Sequence, residues 1–378
     1  MSRVLVAPDK FKGSLTAAEV AAAMRRGIER RVPTCEVVAV PVADGGDGTV
    51  AAALGAGYVE VRVTAAGPTG EPVATRYARK GERAVVELAD VSGLVRLPDG
   101  RPAPRQATSR GTGEVLAAAL DAGCTEIVLG IGGSASTDGG AGLLRALGAV
   151  LLDDQGNELG EGGGELAGLA RVDLAAARAR VTGVSLLVAC DVDNPLTGPT
   201  GAAAVYGPQK GADADDVDIL EKALTRWADA IAEESGVDRR DAAGAGAAGG
   251  VGFALLALGA RLRPGIELVL ELTDFVGRLP GTDLVVTGEG ALDEQTLHGK
   301  APAGVAYAAR SRGIPVVAVC GRNTLTAEQL TSAGIRASYA LADIEPDLQR
   351  CIDDAAALLE DLGGRIAADF LAPATSSV

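Results

Sequence analysis

Two rhythms of apolar and polar positions run through the chain, and the points where one replaces the other outline its organisation. VLVA (4–7) is a short continuous apolar run ended by Pro8-Asp9, the pattern of a strand buried on both faces. TAAEVAAAMRRGIER follows with apolar residues at helical spacing, and Thr16 with Glu19 three positions on predicts a capping box. VVAVPVAD (37–44) and GGDGTVAAALGAG repeat the strand, loop, helix unit. Near residue 60 the period drops to two. YVEVRVTAAGPTGEPVATRYARKGERAVVELADVSGL alternates and turns at glycines, as an antiparallel meander does. Next come a predicted helix (GTGEVLAAALDAG), a buried strand (EIVLGIG), a helix (GAGLLRALGA), a strand (SLLVACDV), a long helix from about Val217 to Glu234, and the small-residue segment AAGAGAAGGVGFALLALGA. From Asp283 the first rhythm returns: DLVVTG, IPVVAVCG and ASYALA are each followed by a helix, the last from about Leu348 to Phe370.

Five strands, each followed by a helix, are most economically arranged as a parallel sheet in the flavodoxin-like order 2-1-3-4-5. The expected architecture is α/β with two α/β domains. Residues 1–60 and 281–378 form a flavodoxin-like five-stranded parallel sheet, interrupted by an inserted mixed α/β domain, 61–280, that carries Gly-rich anion-binding loops. In such open sheets ligands lie beyond the carboxyl ends of the strands. Those ends are Asp9-Lys10-Phe11-Lys12-Gly13-Ser14, Asp44-Gly45-Gly46-Asp47-Gly48, Gly288-Glu289-Gly290 and Gly321-Arg322-Asn323. The inserted domain is expected to face them across a cleft.

Composition narrows the chemistry. With 378 residues, 47% of them hydrophobic, the chain can fill two cores. Its net charge of −15 argues against nucleic acid and anionic membrane as partners. A small anion can still be bound locally, and only six of the 35 basic side chains are lysine: Lys10, Lys12, Lys80, Lys210, Lys222 and Lys300. Four of these, Lys10, Lys12, Lys210 and Lys300, fall in Gly-rich segments, where an ammonium can meet phosphate as a point charge or simply mark an exposed loop. Five scattered cysteines without metal-like spacing read as reduced thiols in a cytoplasmic protein. His298 is the only histidine, and no triad or zinc pattern accompanies it. The start of the chain is not a signal peptide, no apolar run reaches membrane-spanning length, and the tail PATSSV is expected to fray.

The densest glycine segment is GIGGSASTDGG (130–140). Gly130, Gly132 and Ala135 fit a dinucleotide G-x-G-x-x-A fingerprint with Asp153 downstream, although Gly139, Gly140 and Gly142 would weaken the receiving helix. An anion nest of N–H groups and the Ser134, Ser136 and Thr137 hydroxyls is the alternative, and a tight turn with packing glycines is a third. No Walker A pattern is present. CDVDNPLTGPTGA places Asp191 and Asp193 just past a strand, where a carboxylate can accept a hydroxyl proton, hold a metal, or cap a turn. Lys210 follows another Gly-Pro turn. AAGAGAAGGVG (242–252) permits close helix packing or an anion-facing N-terminus, and TGEGALDEQTLHGKAP combines Glu289, Asp293 and Lys300 before a helix start.

Taken together, APDKFKGSL (7–15), ADGGDGT (43–49), TSRGTGE (108–114), GIGGSASTDGGAG (130–142), CDVDNPLTGPTGA (190–202), GPQKGA (207–212), GAGAAGGVG (244–252) and TGEGALDEQTLHGKAP (287–302) resemble the type 1 glycerate kinase family. The resemblance implies ATP-dependent phosphorylation of D-glycerate with Mg²⁺, giving 2-phosphoglycerate, with 3-phosphoglycerate as the alternative product and a nicotinamide-dependent hydroxy-acid dehydrogenase as the rival of another class. It also implies an active site between two α/β domains and leaves a homodimer open. Lys10, Ser136-Thr137 and Ala291 depart from the residues frequent in the family.

On this reading Asp191 takes the hydroxyl proton and Lys12 meets the developing charge or the glycerate carboxylate. Asp9, Lys10, Ser14, Asp44, Gly133, Ser134, Ser136 and Lys210 contact substrate. Gly249, Gly250, Glu289 and Lys300 contact the nucleotide or its phosphates, with Asp44 and Glu289 on the Mg²⁺ side.

Overall fold

The computed structural model describes residues 1–371, so the tail PATSSV lies outside the described residues. Among these, thirteen strands follow in chain order: β1 (Arg3–Pro8), β2 (Glu36–Ala39), β3 (Val59–Ala66), β4 (Pro72–Lys80), β5 (Arg83–Glu87), β6 (Glu126–Gly130), β7 (Val150–Leu152), β8 (Arg171–Asp173), β9 (Ser185–Ala189), β10 (Arg261–Arg263), β11 (Leu284–Leu292), β12 (Val316–Asn323) and β13 (Ala337–Ala340). Contacts divide the chain into two compact units. The first comprises residues 1–44, 51–56 and Ile266 onward; the second comprises 45–50 and 57–265. Residues 45–50 thus pack with the second unit and 266–280 with the first, both on the other side of the boundaries expected near 60 and 281.

The first unit is built on a five-stranded, all-parallel sheet in the order β13-β12-β11-β1-β2, which is the expected 2-1-3-4-5 arrangement. Its central strands are continuous Val and Leu runs because both faces are covered. Val4, Leu5 and Val6 pair in register with Leu284, Val285 and Val286, all buried. One face packs against Ile266, Val269, Phe275 and Val305, the other against Met24, Ile28, Leu359 and Ile366. Helices Ala17–Arg31 and Ala355–Phe370 meet where a Cβ on Gly27 would overlap the Glu360 carbonyl oxygen. The capping box is present: Thr16 N–H donates to Glu19 Oε2 at 2.8 Å and Glu19 N–H to Thr16 Oγ1 at 3.3 Å.

Two expectations in this unit change. The second strand stops at Ala39 rather than continuing to 44, since Pro41 has no N–H to place in a ladder and tolerates only an edge position. The final helix is interrupted at Asp354 (φ −101, ψ 14), giving Leu348–Asp353 and Ala355–Phe370.

The second unit carries a six-stranded mixed sheet in the order β10-β9-β6-β5-β4-β3. The predicted meander supplies its antiparallel part, β3 to β5, while β5, β6, β9 and β10 run parallel. Register aligns Glu87, Gly130, Ala189 and Arg263 along one row, so the loops after β5, β6, β9 and β10 leave from the same edge. Leu143, Leu144, Leu220, Leu224, Phe253 and Trp227 fill the core beneath them. The ribbon of β7 and β8 was not anticipated; strands of three residues are too short to show a period.

Candidate active site

In the first unit the carboxyl ends of β1, β2 and β11 bring acids together. Asp9 directly follows β1, is 6% exposed, and accepts the Lys10 N–H at 2.6 Å. Burial pushes its carboxyl up to about 7; the Lys10 ammonium opposes the rise, and the charges of Asp44 and Glu289 add to it. Glu289 is raised in turn, by burial first and by Asp293 and Asp44, against the opposing Thr296 and Lys300. Thr296 Oγ donates to Glu289 Oε1 at 2.5 Å, and Lys300 Nζ stands 4.0 Å from Glu289 Oε2. Lys300 is also the N-cap residue of helix Ala301–Arg310.

Asp9, Asp44, Glu289, Lys10 and Lys300 are therefore one electrostatic group. Lys12 is exposed on the loop after β1. The Ser14 hydroxyl donates to the Ile352 carbonyl at 2.7 Å and ties this loop to the C-terminal helices.

In the second unit the glycine segment after β6 does several things, and most of them are packing. An added Cβ would lie 2.6 Å from the Gly45 carbonyl oxygen at Gly130, 2.7 Å from Gly46 Cα at Gly132, and 2.5 Å from Trp227 at Gly139. At Gly140 and Gly142 it would overlap Ala254 and Thr108. Trp227 Nε1–H donates to the Gly139 carbonyl at 2.9 Å. Only Gly132 and Gly133 of residues 131–140 escape burial, and Gly133, at φ +74, takes the left-handed conformation that favours glycine. Ser134 and Ser136 are buried, and the accessible part of the loop, at Gly132 and Gly133, is backbone.

Lys210 lies beneath this loop at 2% exposure. Its Nζ donates to Ser134 Oγ at 2.8 Å and to the Ser136 carbonyl at 2.5 Å. Burial pulls the ammonium down to about 7, opposed by the charge of Asp138. Asp138, fully buried, accepts from Ser109 N–H (2.7 Å), Ser109 Oγ (2.8 Å), Gly140 N–H (3.1 Å) and Gly142 N–H (3.2 Å). Burial raises its carboxyl, while these bonds oppose the rise; backbone N–H groups can only donate, so they favour the carboxylate.

Gly249 (φ +69) and Gly250 (φ +94) back onto the same loop, where an added Cβ would overlap Ser136 O and lie 2.6 Å from Gly139 Cα respectively. Packing therefore accounts for both. The sequence reading had named Lys210 but missed Asp138 and Glu87. Glu87 ends β5 and accepts the N–H groups of Gly48 and Val50 at 3.0 Å, fixing the glycine turn 45–48. Burial lifts its carboxyl to about 7, as does Asp90.

Asp191 lies two residues beyond the end of β9, is exposed, and accepts the Gly265 N–H at 2.8 Å. Asp193 is likewise exposed, and the adjacent Asn194 holds the turn through Tyr206 Oη–H (2.6 Å) and the Thr200 carbonyl (2.8 Å).

The motif blocks thus occupy two loop systems, an acid and lysine group in one unit and a glycine loop with Asp191 in the other. A family model described as the glycerate kinase family matches residues 4–371. The chain belongs to this family.

Among its relatives, the glycerate kinase of Bacillus subtilis (strain 168) is 45% identical over 374 residues, covering 97% of each chain. The glycerate 2-kinase of Escherichia coli (strain K12) is 43% identical over 343 residues, covering 90% of each. A crystal structure from Salmonella typhimurium LT2, assigned to glycerate kinase 2, matches with a TM-score of 0.85 at 42% identity, covering 97% of this chain and 98% of that one.

As a member of the glycerate kinase family the protein is an enzyme, a kinase, and the dehydrogenase alternative falls away. The loop geometry gives the physical reason. A dinucleotide fold passes from strand to helix in one tight turn. Here ten residues separate β6 from a helix of only six, Ala141–Ala146, and Asp153 instead binds Gln155 and Asn157 in its own turn.

Proposed function

We propose that the enzyme transfers the terminal phosphoryl group of ATP to the 2-hydroxyl of D-glycerate, with Mg²⁺. The observation that carries this reading is the group of Asp9, Asp44 and Glu289 at the carboxyl ends of β1, β2 and β11, with Lys10 and Lys300 beside it. The negative charges of Asp44 and Glu289 both work against ionisation of Asp9, so the group is short of positive charge. A kinase site meets that need with a divalent cation held by one or two carboxylates and the substrate phosphates.

Among the described residues no group of three or more His, Cys, Asp or Glu is set to hold a metal alone. That suits an ion that arrives with the nucleotide, Asp44 and Glu289 being the residues that would hold it. Mg²⁺ supplies neutralisation of charge on the transferring phosphoryl oxygens.

The chain's own residues then have separable tasks. Asp191 accepts the proton of the attacking hydroxyl; its exposure lets it reach a substrate, and the Gly265 N–H fixes its orientation. Lys12, with Lys10, compensates the glycerate carboxylate or the charge that develops during transfer. Lys300 performs the same service for the nucleotide phosphates at a helix N-terminus. Gly132 and Gly133 offer backbone N–H groups to an anion. The 2-phosphoglycerate product is favoured by the relative named glycerate 2-kinase, and a cytoplasmic location by five cysteines that are all free. The test is ADP release by the purified enzyme: it should require D-glycerate together with ATP and stop when EDTA removes Mg²⁺. ADP release that ignores D-glycerate would overturn the proposal.

A further inference from the structure

We infer that Asp138 and Lys210 are a positioning pair, two buried opposite charges that grip the glycine loop from either end and so present the Gly132 and Gly133 N–H groups to the bound anion. The ligand half of this statement rests on the function proposed above. The structural half does not.

Neither charge is placed to touch a ligand, since Asp138 is fully buried and Lys210 is 2% exposed. Each is already engaged by the loop or its supports. Lys210 holds the Ser134 hydroxyl and the Ser136 carbonyl. Asp138 gathers Gly140 and Gly142 at the start of helix Ala141–Ala146, and Ser109 at the start of helix Arg110–Asp121.

The segment between the two anchors does little to hold itself. Ser136 Oγ and Thr137 Oγ are enclosed without a hydrogen-bond partner. The fit is also tight on the far side, where an added Cβ at Gly249 would stand 2.9 Å from Lys210 Nζ. A lysine buried this deeply persists only if the site compensates it. The compensation comes from the two loop oxygens that its ammonium bonds directly. Both groups anchor the same loop, so losing either one frees the segment that the other is left to hold, and the two substitutions are expected to be strongly non-additive.

The test uses the full chain with K210M, D138N and the double variant, together with S134A, which deletes one anchor atom while leaving both charges. Two readouts are taken: kcat and KM for D-glycerate and ATP, and the ¹⁵N–¹H resonances of Gly132 and Gly133. Each single variant is expected to lose at least tenfold in kcat/KM, the double variant no more than about threefold beyond the worse single, and both glycine amides should shift. Should K210M and D138N not fold, S134A carries the test, with a shift of both amides and a loss of at least threefold in kcat/KM expected. Unmoved amides in the folded variants, or fully multiplicative losses, overturn the pairing. Wild-type enzyme inert toward D-glycerate and ATP overturns the function instead, and the amides still decide the pairing.

Discussion

Gly249→Ala separates two readings of the same glycine, a contact for the nucleotide and a packing position under the loop. At φ +69 an alanine occupies the left-handed region, which costs about 1–2 kcal/mol. Its Cβ would overlap the Ser136 carbonyl oxygen, lie 2.8 Å from Thr137 Cα and lie 2.9 Å from Lys210 Nζ. Two of these three contacts are backbone, so the side chain cannot simply rotate away, and overpacking of this kind costs about 1–3 kcal/mol more. Together the structure predicts a loss of about 2–5 kcal/mol. For a unit of this size each kcal/mol moves the melting midpoint by about 2–4 °C, so a fall of about 4–20 °C is expected by calorimetry or circular dichroism. Gly55→Ala is the control. Its added Cβ meets nothing within 4 Å at the end of helix Thr49–Gly55, and the midpoint should hold or rise slightly. A Gly249→Ala protein with wild-type melting and a raised KM for ATP would refute the packing argument and restore the nucleotide contact.

Asp191→Asn keeps an acceptor for the Gly265 N–H, so melting should be unchanged while kcat falls by about 10²–10⁴-fold with KM nearly constant; steady-state kinetics that match wild type would remove the proposed base. Because burial holds the Asp9 proton up to about 7, the folded chain binds more protons than the unfolded one between the ordinary carboxylate range and neutrality. Stability from this group is therefore greatest in acid and lost as pH rises through that window. Urea midpoints at pH 4.5 and 7.5 should differ less in Asp9→Asn than in wild type. Some slope is retained from Glu87, which titrates in the same window. An unaltered difference would show that Asp9 is not so perturbed. Trp227→Phe leaves the buried Gly139 carbonyl without its donor and should cost about 1–3 kcal/mol in chemical denaturation; no loss would mean that the loop finds another partner.

The first sheet was legible because parallel strands covered on both faces must be continuous apolar runs, and few topologies join five of them through helices. The helix start at Thr16 was legible because a capping box is local. The glycine loop was harder to read. A glycine that admits a ligand and one that admits a neighbouring backbone look alike in sequence, since both mark an absent Cβ, and only the tertiary contacts assign Gly139, Gly140, Gly249 and Gly250 to packing.

Lys210 shows the same limit: a lysine among glycines suggests an exposed ammonium, whereas the oxygens of Ser134 and Ser136, more than seventy residues away, draw it inside. Asp138 was missed because its partner Ser109 is 29 positions distant. The acids at the strand ends were found in advance because topology alone places them there.

The central claim is that D-glycerate is phosphorylated on its 2-hydroxyl at the expense of ATP, and ³¹P NMR of the products tests it most directly. Enzyme incubated with ATP, Mg²⁺ and D-glycerate should yield equal amounts of ADP and 2-phosphoglycerate, with the new phosphorus signal split by a single carbon-bound proton. A signal split by two such protons, as 3-phosphoglycerate gives, or no new phosphate ester at all, would contradict it.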